Sequence, residues 1–309
     1  MRDAFIQVVY NSMATNDRIF FLCADFGSPK LDSIRRDHAD RFINVGIAEQ
    51  NLINVSTGLA LEGFTVYAYA IASFLTMRAY EQIRINLSLL GQLKSLNVNL
   101  VGVGAGLSYD VSGPSHHCLE DLAIMRLLPN IEVYSPADSY TTEALADYSA
   151  RGYKPKDFRL DGKSLPAIYD AASSLDIKQG FSVLSPPSDI CLIGTGYMTH
   201  QAVKAANETA EMGNPVGVID VFRLKPFNAQ AFAQKVCHCR RLVTMEEAFV
   251  GNGGLDCAVA GALAEQKLKI EIVRIGFDDK YSFEIGTRDY LHAQAGMGEE
   301  AILKAILAP

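Results

Sequence analysis

The chain alternates short apolar runs with longer mixed stretches, a rhythm that predicts strands buried on both faces between covering helices. In the first half the apolar runs are Ile19 to Ala24, Phe64 to Ala68, Val98 to Val103 and Ile131 to Tyr134. Helical stretches begin near Ala48, Ser73, Leu119 and Ser139. The second half repeats the pattern, with runs near Ile190 to Ile193, Val216 to Val221, Arg241 to Met245 and Ile270 to Ile275, and helices after Thr199 and Gly254. From about Arg151 to Lys178 the chain turns polar and is punctuated by Gly and Pro. The reading is an α/β protein of two doubly wound, mainly parallel-sheet domains, over residues 1–165 and 179–309, joined by a linker over 166–178.

Composition narrows the function classes. The 309 residues suffice for two domains that each bury a core. Hydrophobic residues make up 49% and charged residues 20%, the balance of a globular protein. A formal charge of −7 with no dense Lys/Arg run argues against a nucleic-acid surface. No apolar stretch is long enough for a bilayer, and the first residues do not form a secretory signal. The six cysteines are scattered, which with no secretory segment points to reduced thiols in the cytoplasm. Cys237-His238-Cys239 is too tightly spaced for a zinc site and no second pair follows, so no metal ligands are assigned.

Chemistry concentrates in Asn44-Val45-Gly46-Ile47-Ala48-Glu49-Gln50-Asn51. Glu49 opens a helix whose later segment, Leu52 to Leu61, is small, polar-neutral or aliphatic, with Gly63 as the stop signal. A carboxylate entering an interior costs several kcal/mol unless hydrogen bonds compensate it. No cation lies within four residues, so its partner comes from elsewhere in the fold, from a ligand or from solvent. The alternative is a helix-start Glu that complements the dipole and faces water.

The stretch from Arg41 to Asn51 resembles the signature of the pyrimidine-binding domain of transketolases and deoxyxylulose-phosphate synthases. The resemblance continues through Arg78-Ala79-Tyr80-Glu81-Gln82-Ile83-Arg84, Ser112-Gly113-Pro114-Ser115-His116, Glu120-Asp121-Leu122-Ala123-Ile124-Met125-Arg126, Pro129-Asn130 and Ser135-Pro136-Ala137-Asp138. In the second half, Val243-Thr244-Met245-Glu246-Glu247 and Gly253-Gly254 resemble the C-terminal domain of the same enzymes.

That resemblance implies thiamine diphosphate as cofactor, with Glu49 bonded to its aminopyrimidine and promoting the imino tautomer, a proton-sharing task suited to a desolvated carboxyl. Phe74 matches the aromatic that stacks on the pyrimidine, although a core Phe fits the same position. Ile71 stands where a second aromatic is frequent. His116 matches a His that contacts substrate hydroxyls and assists proton transfer; without the motif it reads as an ordinary loop residue. His117 replaces a common Gln, as a second donor or as bulk. Arg78 is expected to pair with Glu81 or with the chain facing Glu49. Glu246, Glu247 and Gly253-Gly254 read as structural, in a domain that mainly supplies dimer surface.

The departures from the pattern bear on substrate. Ser112 stands where transketolases carry the Asp that reads a C2 hydroxyl, with Asp110 nearby but offset, and the region of Gly104 lacks the donor-binding His. Ser28 matches a phosphate-contacting Ser, and Arg159 is the one Arg left in the stretch that grips phosphate in relatives. Asp161 beside it is expected to repel a phosphate dianion, which favours a non-phosphorylated or differently anchored sugar. The family's Gly-Asp-Gly motif is absent, so the resemblance implies a split enzyme. Its N-terminal subunit would hold the diphosphate and a Mg2+ or Ca2+ ion, in an α2β2 heterotetramer, this chain alone forming a homodimer. Two other functions stand beside ketol transfer: decarboxylation of a 2-oxo acid with carboligation or dehydrogenation, and a non-catalytic regulatory subunit.

Overall fold

Parallel strands covered on both faces are largely apolar, and most of the interior strands of the two sheets follow that rule. The computed structural model describes residues 1–308 except 171, 172 and 174; these three fall in the expected linker and, with 309, lie outside the described residues. The strands are β1 (Ile19–Cys23), β2 (Phe42–Asn44), β3 (Thr65–Ile71), β4 (Val98–Val103), β5 (Glu132–Tyr134), β6 (Lys156–Leu160), β7 (Phe181–Ser185), β8 (Ile190–Gly194), β9 (Gly217–Val221), β10 (Arg223–Lys225), β11 (Arg241–Phe249) and β12 (Glu271–Phe277). Two sheets result, ordered β10-β5-β6-β4-β3-β1-β2 and β12-β11-β8-β9-β7. All pairings are parallel except β10 on β5 and β7 on β9. Helices α1 (Arg2–Thr15), α2 (Pro29–Asp37), α3 (Glu49–Leu61), α4 (Tyr80–Gln82), α5 (Asp121–Leu127) and α6 (Ser139–Ser149) accompany the first sheet. The second carries α7 (Tyr197–Glu211), α8 (Ala229–Val236), α9 (Leu255–Glu265), α10 (Arg288–Gln294) and α11 (Glu299–Leu307).

Two strands contradict the sequence reading. The expected polar boundary from Arg151 contains β6, whose residues are all buried although Lys156, Asp157 and Arg159 are charged. The strand survives because its charges find partners: Lys156 Nζ donates to Asn97 Oδ1 at 2.9 Å and Arg159 Nε to Asp121 Oδ2 at 2.7 Å. Burial, with the nearby Asp121 charge, pushes the Asp157 carboxyl well above the usual range. The other strand is β10, which comes from the second half of the chain and closes the edge of the first sheet. One core cluster accordingly runs from Leu22, Val66 and Leu122 to Leu224, Phe232 and Leu255.

Two fully buried acids in the second domain give a test of the fold by pH. Asp220 accepts from Thr199 Oγ1 and from Tyr169 Oη, each at 2.7 Å. Burial raises its carboxyl to about 7, and Glu246 likewise reaches about 7. With a folded value above the unfolded one, the folded state keeps a proton that the unfolded chain has lost, so stability falls as pH rises from about 4 to 7. Asp220→Asn removes the Asp220 share of that slope and leaves that of Glu246. Its destabilisation relative to the parent is expected to shrink by about 2–3 kcal/mol between pH 5 and pH 8. Urea unfolding at both pH values reads the difference, and an unchanged gap would contradict the assignment.

Candidate active site

The C-terminal ends of β1, β2, β3 and β4 emit the loops that carry the candidate residues, the crevice in which open α/β sheets bind ligands. Asn44, at the end of β2, ties two of these loops together. Its Oδ1 accepts from the backbone N–H of Asp25 and of Gly46, each at 3.0 Å, and its Nδ2 donates to Asp25 Oδ1 at 3.1 Å. Gly46 adopts φ +76°, the left-handed turn that leads into α3.

Glu49 is the first residue of α3, and its direction follows from helical spacing. The buried residues of that helix are Glu49, Leu52, Ile53, Ser56, Thr57 and Ala60, one stripe at intervals of three and four. The carboxylate therefore lies on the inward face, with its side chain 3% exposed. The solvent-facing alternative is excluded. Its partner is Arg78, whose Nη1 donates to Glu49 Oε2 at 2.6 Å. This corrects the expectation that Arg78 pairs with Glu81 or another chain. Among the described residues no hydrogen bond engages Glu49 Oε1.

Arg78 reaches this position through an irregular helix. Residues Phe74–Arg78 and Ile83–Leu89 form π-helical turns on either side of α4, and such turns accumulate at functional sites. The wider turn superposes residues 74 and 78, so the Arg78 guanidinium sits 4.7 Å from the centre of the Phe74 ring. Phe74 also meets the His116 ring edge-on, with centroids 5.2 Å apart. Ser115 Oγ lies 3.1 Å from His116 Nδ1, leaving Nε2 without a partner among the described residues. Glu49, Arg78, Phe74 and His116 thus form one connected group.

The other candidates lie in different settings. Ile71 ends β3 and is half-buried. Ser28 caps α2, its hydroxyl accepting from Leu31 N at 3.3 Å. Ser112 is exposed on the loop after β4, whereas His117 is buried there with Nε2 3.2 Å from Asp110 O. Arg159 is buried at the domain junction: Nε donates to Asp121, and Nη2 to Cys118 O at 3.0 Å and Glu247 O at 2.8 Å. These bonds correct its reading as a substrate grip, since the guanidinium is spent inside the protein. Asp161 is buried as well and accepts from Arg288 Nη1 at 2.6 Å. The paired carboxylate gives no ground for expecting phosphate to be repelled.

Sequence reading missed a network between the domains. Glu247 takes Arg288 Nε at 2.7 Å, His292 Nε2 at 2.7 Å and the backbone N–H of Leu107 at 3.2 Å. Burial opposes its ionisation, but Arg288 and His292 outweigh burial and hold the carboxyl well below the usual range. Gly106, at φ +55°, lies so close to the Glu247 side chain that a Cβ would collide with it. Glu246 has a different task and caps α9 by accepting from Leu255 N at 2.6 Å and Asp256 N at 2.8 Å. The sequence signal was the pair of adjacent acids in an apolar strand.

Among the described residues no cluster of His, Cys, Asp or Glu could hold a metal ion. No helix among them is long and apolar enough to cross a membrane. A cavity of about 820 Å³ lies away from Glu49, among Tyr197, Lys204, His292 and Lys304.

Comparison with known proteins matches residues 1–166 to the family described as "Transketolase, pyrimidine binding domain" and residues 181–302 to "Transketolase, C-terminal domain". The chain belongs to the transketolase family. Its curated relatives include a subunit of the apulose-4-phosphate transketolase of Actinobacillus succinogenes, 29% identical over 100% of this chain and 96% of that protein. The "6-deoxy-6-sulfo-D-fructose transketolase subunit SqwH" of Clostridium sp. is 30% identical, covering 99% and 92%. The "Putative transketolase C-terminal section" of Methanocaldococcus jannaschii is 30% identical, covering 99% and 95%. A solved structure described as "Split gene transketolase, inactive beta4 tetramer" superposes with a TM-score of 0.85 at 30% identity, covering 99% of this chain and 96% of that one. This transketolase chain therefore shares its fold with a split-gene transketolase chain and its extent with relatives named as transketolase subunits.

Proposed function

We propose that this chain is the C-terminal subunit of a cytoplasmic, thiamine-diphosphate-dependent transketolase that moves a two-carbon ketol unit from a modified ketose to an aldehyde acceptor. The carrying observation is the buried Glu49 carboxylate, with one oxygen held by Arg78, whose guanidinium also faces the Phe74 ring, and the other unengaged among the described residues. These residues fit the cofactor's aminopyrimidine: Glu49 Oε1 can accept from a protonated ring nitrogen, and an aromatic at Phe74 offers a stacking surface.

When bound, thiamine diphosphate supplies a ring that stores the electron pair of the broken C–C bond. Glu49 shares a proton at Oε1 and so sets the protonation of the pyrimidine edge. Phe74 would offer its ring as a stacking surface to the pyrimidine. His116, held through Nδ1 by Ser115, offers Nε2 to a substrate hydroxyl. Ile71, Ser28, Ser112 and His117 are proposed to shape or touch the substrate space around this group.

The diphosphate and its Mg2+ or Ca2+ are assigned to a separate N-terminal subunit, which completes the pocket in an α2β2 assembly. In support, residues beside the site, Ile47 at 75% and Val111 at 66% exposure, are apolar and open to solvent. The solved relative, a tetramer of beta chains, is described as inactive. Two relatives are named for sugars that carry a phosphate or a sulfonate, which favours an anionic, non-standard ketose.

Reconstitution tests the proposal. This chain is combined with a diphosphate-binding subunit, thiamine diphosphate and Mg2+, and ketol transfer from modified ketoses is compared with transfer from xylulose 5-phosphate to ribose 5-phosphate. Transfer is expected only from the pair, with a modified ketose preferred. Release of carbon dioxide from a 2-oxo acid would favour the carboligase alternative.

A further inference from the structure

We infer that Glu247 and Arg288 of the second domain are positioning residues for His116, acting through the loop that joins β4 to α5. The inference rests on the proposed function for its catalytic meaning, but its structural core stands on geometry alone. The loop is pinched at its neck, where Gly106 and Cys118 exchange backbone hydrogen bonds of 3.1 and 2.9 Å. Beyond the neck it is a run of turns, among them Asp110–Ser112 and one in which His116 N donates to Gly113 O at 3.0 Å. Turns alone, with neither α-helix nor strand between them, leave the segment dependent on external ties to hold one geometry.

The second domain supplies those ties. Leu107 N donates to Glu247 Oε2 at 3.2 Å, directly inside the neck, where Gly106 packs against the same carboxylate. The backbone N–H of Arg288 donates to Asp110 Oδ2 at 2.9 Å. Asp110 is also paired with Lys163, and its backbone oxygen meets His117 Nε2 at 3.2 Å. Arg288 fixes Glu247 in turn through Nε, and reaches Asp161 through Nη1. The guanidinium carbon lies 3.6 Å from the centre of the Tyr197 ring. The path from Arg288 to His116 therefore runs through two short routes, Glu247–Leu107 and Asp110–His117.

Holding the domains together does not require this cluster. A shared apolar core already joins them. Arg126 donates to the carbonyls of Gly253 and Gly254, and Lys225 Nζ donates to Arg126 O at 2.8 Å. Buried ionic groups rarely add more stability than apolar side chains of equal volume. What this cluster adds is a fixed seat for one loop, and a displacement of about 1 Å in a catalytic group can cost about 10²-fold in rate.

The experiment compares the full chain with Glu247→Gln and with Arg288→Lys. An amide at position 247 turns its NH2 either toward Leu107 N–H and Arg288 Nη2 or toward Arg288 Nε and His292, and Lys at 288 keeps the charge and the backbone N–H to Asp110 but loses the fork on Glu247. Amide hydrogen exchange across residues 104–118 is expected to accelerate about tenfold or more in both variants, while β3, β4, β8 and β11 keep parental protection. In the assembled enzyme, kcat falls about tenfold and directly titrated thiamine diphosphate affinity stays within about twofold. Unchanged loop exchange overturns the inference, as does equal loosening of the sheets, or a loss of cofactor affinity as large as the loss of kcat. Should the parental pair show no ketol transfer, the proposed function fails, and the exchange result still decides whether Glu247 seats the loop.

Discussion

Glu49→Gln is expected to lower turnover of the assembled enzyme by about 10²-fold or more, the scale of general acid–base contributions. The carboxylate lies on the buried stripe of α3, so no solvent group can take its place. Gln keeps the shape and can still accept at Oε1, but it cannot hold the proton that Glu49 shares. Folding should be spared. The Arg78 side chain that loses its partner is 44% exposed, and water can take up its charge. Steady-state turnover of parent and variant, each with melting curves as a control, reads the effect. Activity within a few-fold of the parent would remove Glu49 from the mechanism.

The second large effect concerns Arg159. Arg159→Met is expected to destabilise the chain by about 3–5 kcal/mol, the penalty for removing one member of a buried ion pair. Asp121 would keep a buried charge, its Oδ1 already without a hydrogen-bond partner. The carbonyls of Cys118 and Glu247 would lose a donor. Adding Asp121→Leu to Arg159→Met should recover much of the loss, because no isolated charge then remains inside. Urea unfolding of the single and double variants measures both steps. A stable single variant whose only defect is a raised KM for substrate would restore Arg159 to the substrate site.

The parts of the fold legible in the sequence were those where composition and burial agree. Val98 to Val103 is apolar apart from Asn99 and became β4, all six residues buried. Where charge and burial conflict, the sequence misleads. Lys-Asp-Phe-Arg-Leu at 156–160 looks like a surface segment until Asn97 and Asp121, 59 and 38 residues away in sequence, supply its partners. Arg223-Leu224-Lys225 is too short to show any period, yet it pairs with β5.

The site divides in the same way. Glu49 could be marked because a lone acid opening an apolar helix demands an explanation, and family resemblance pointed to Phe74 and His116. The pairing of Arg78 with Glu49 was hidden, because it depends on a π turn that no local pattern announces. The Glu247–Arg288 cluster was hidden for a second reason. Its members are up to 178 residues apart in sequence, counting the contact from Arg288 to Asp110.

The placement of β10 has a practical consequence for anyone dissecting the chain. A fragment ending where the first domain nominally ends would lack the three residues that cover β5. Its bared backbone would present unpaired donors and acceptors to any extended peptide nearby, an invitation to self-association. Trimming this subunit at its apparent seam therefore yields a sticky remnant rather than a miniature, and work on the cofactor pocket calls for the whole polypeptide.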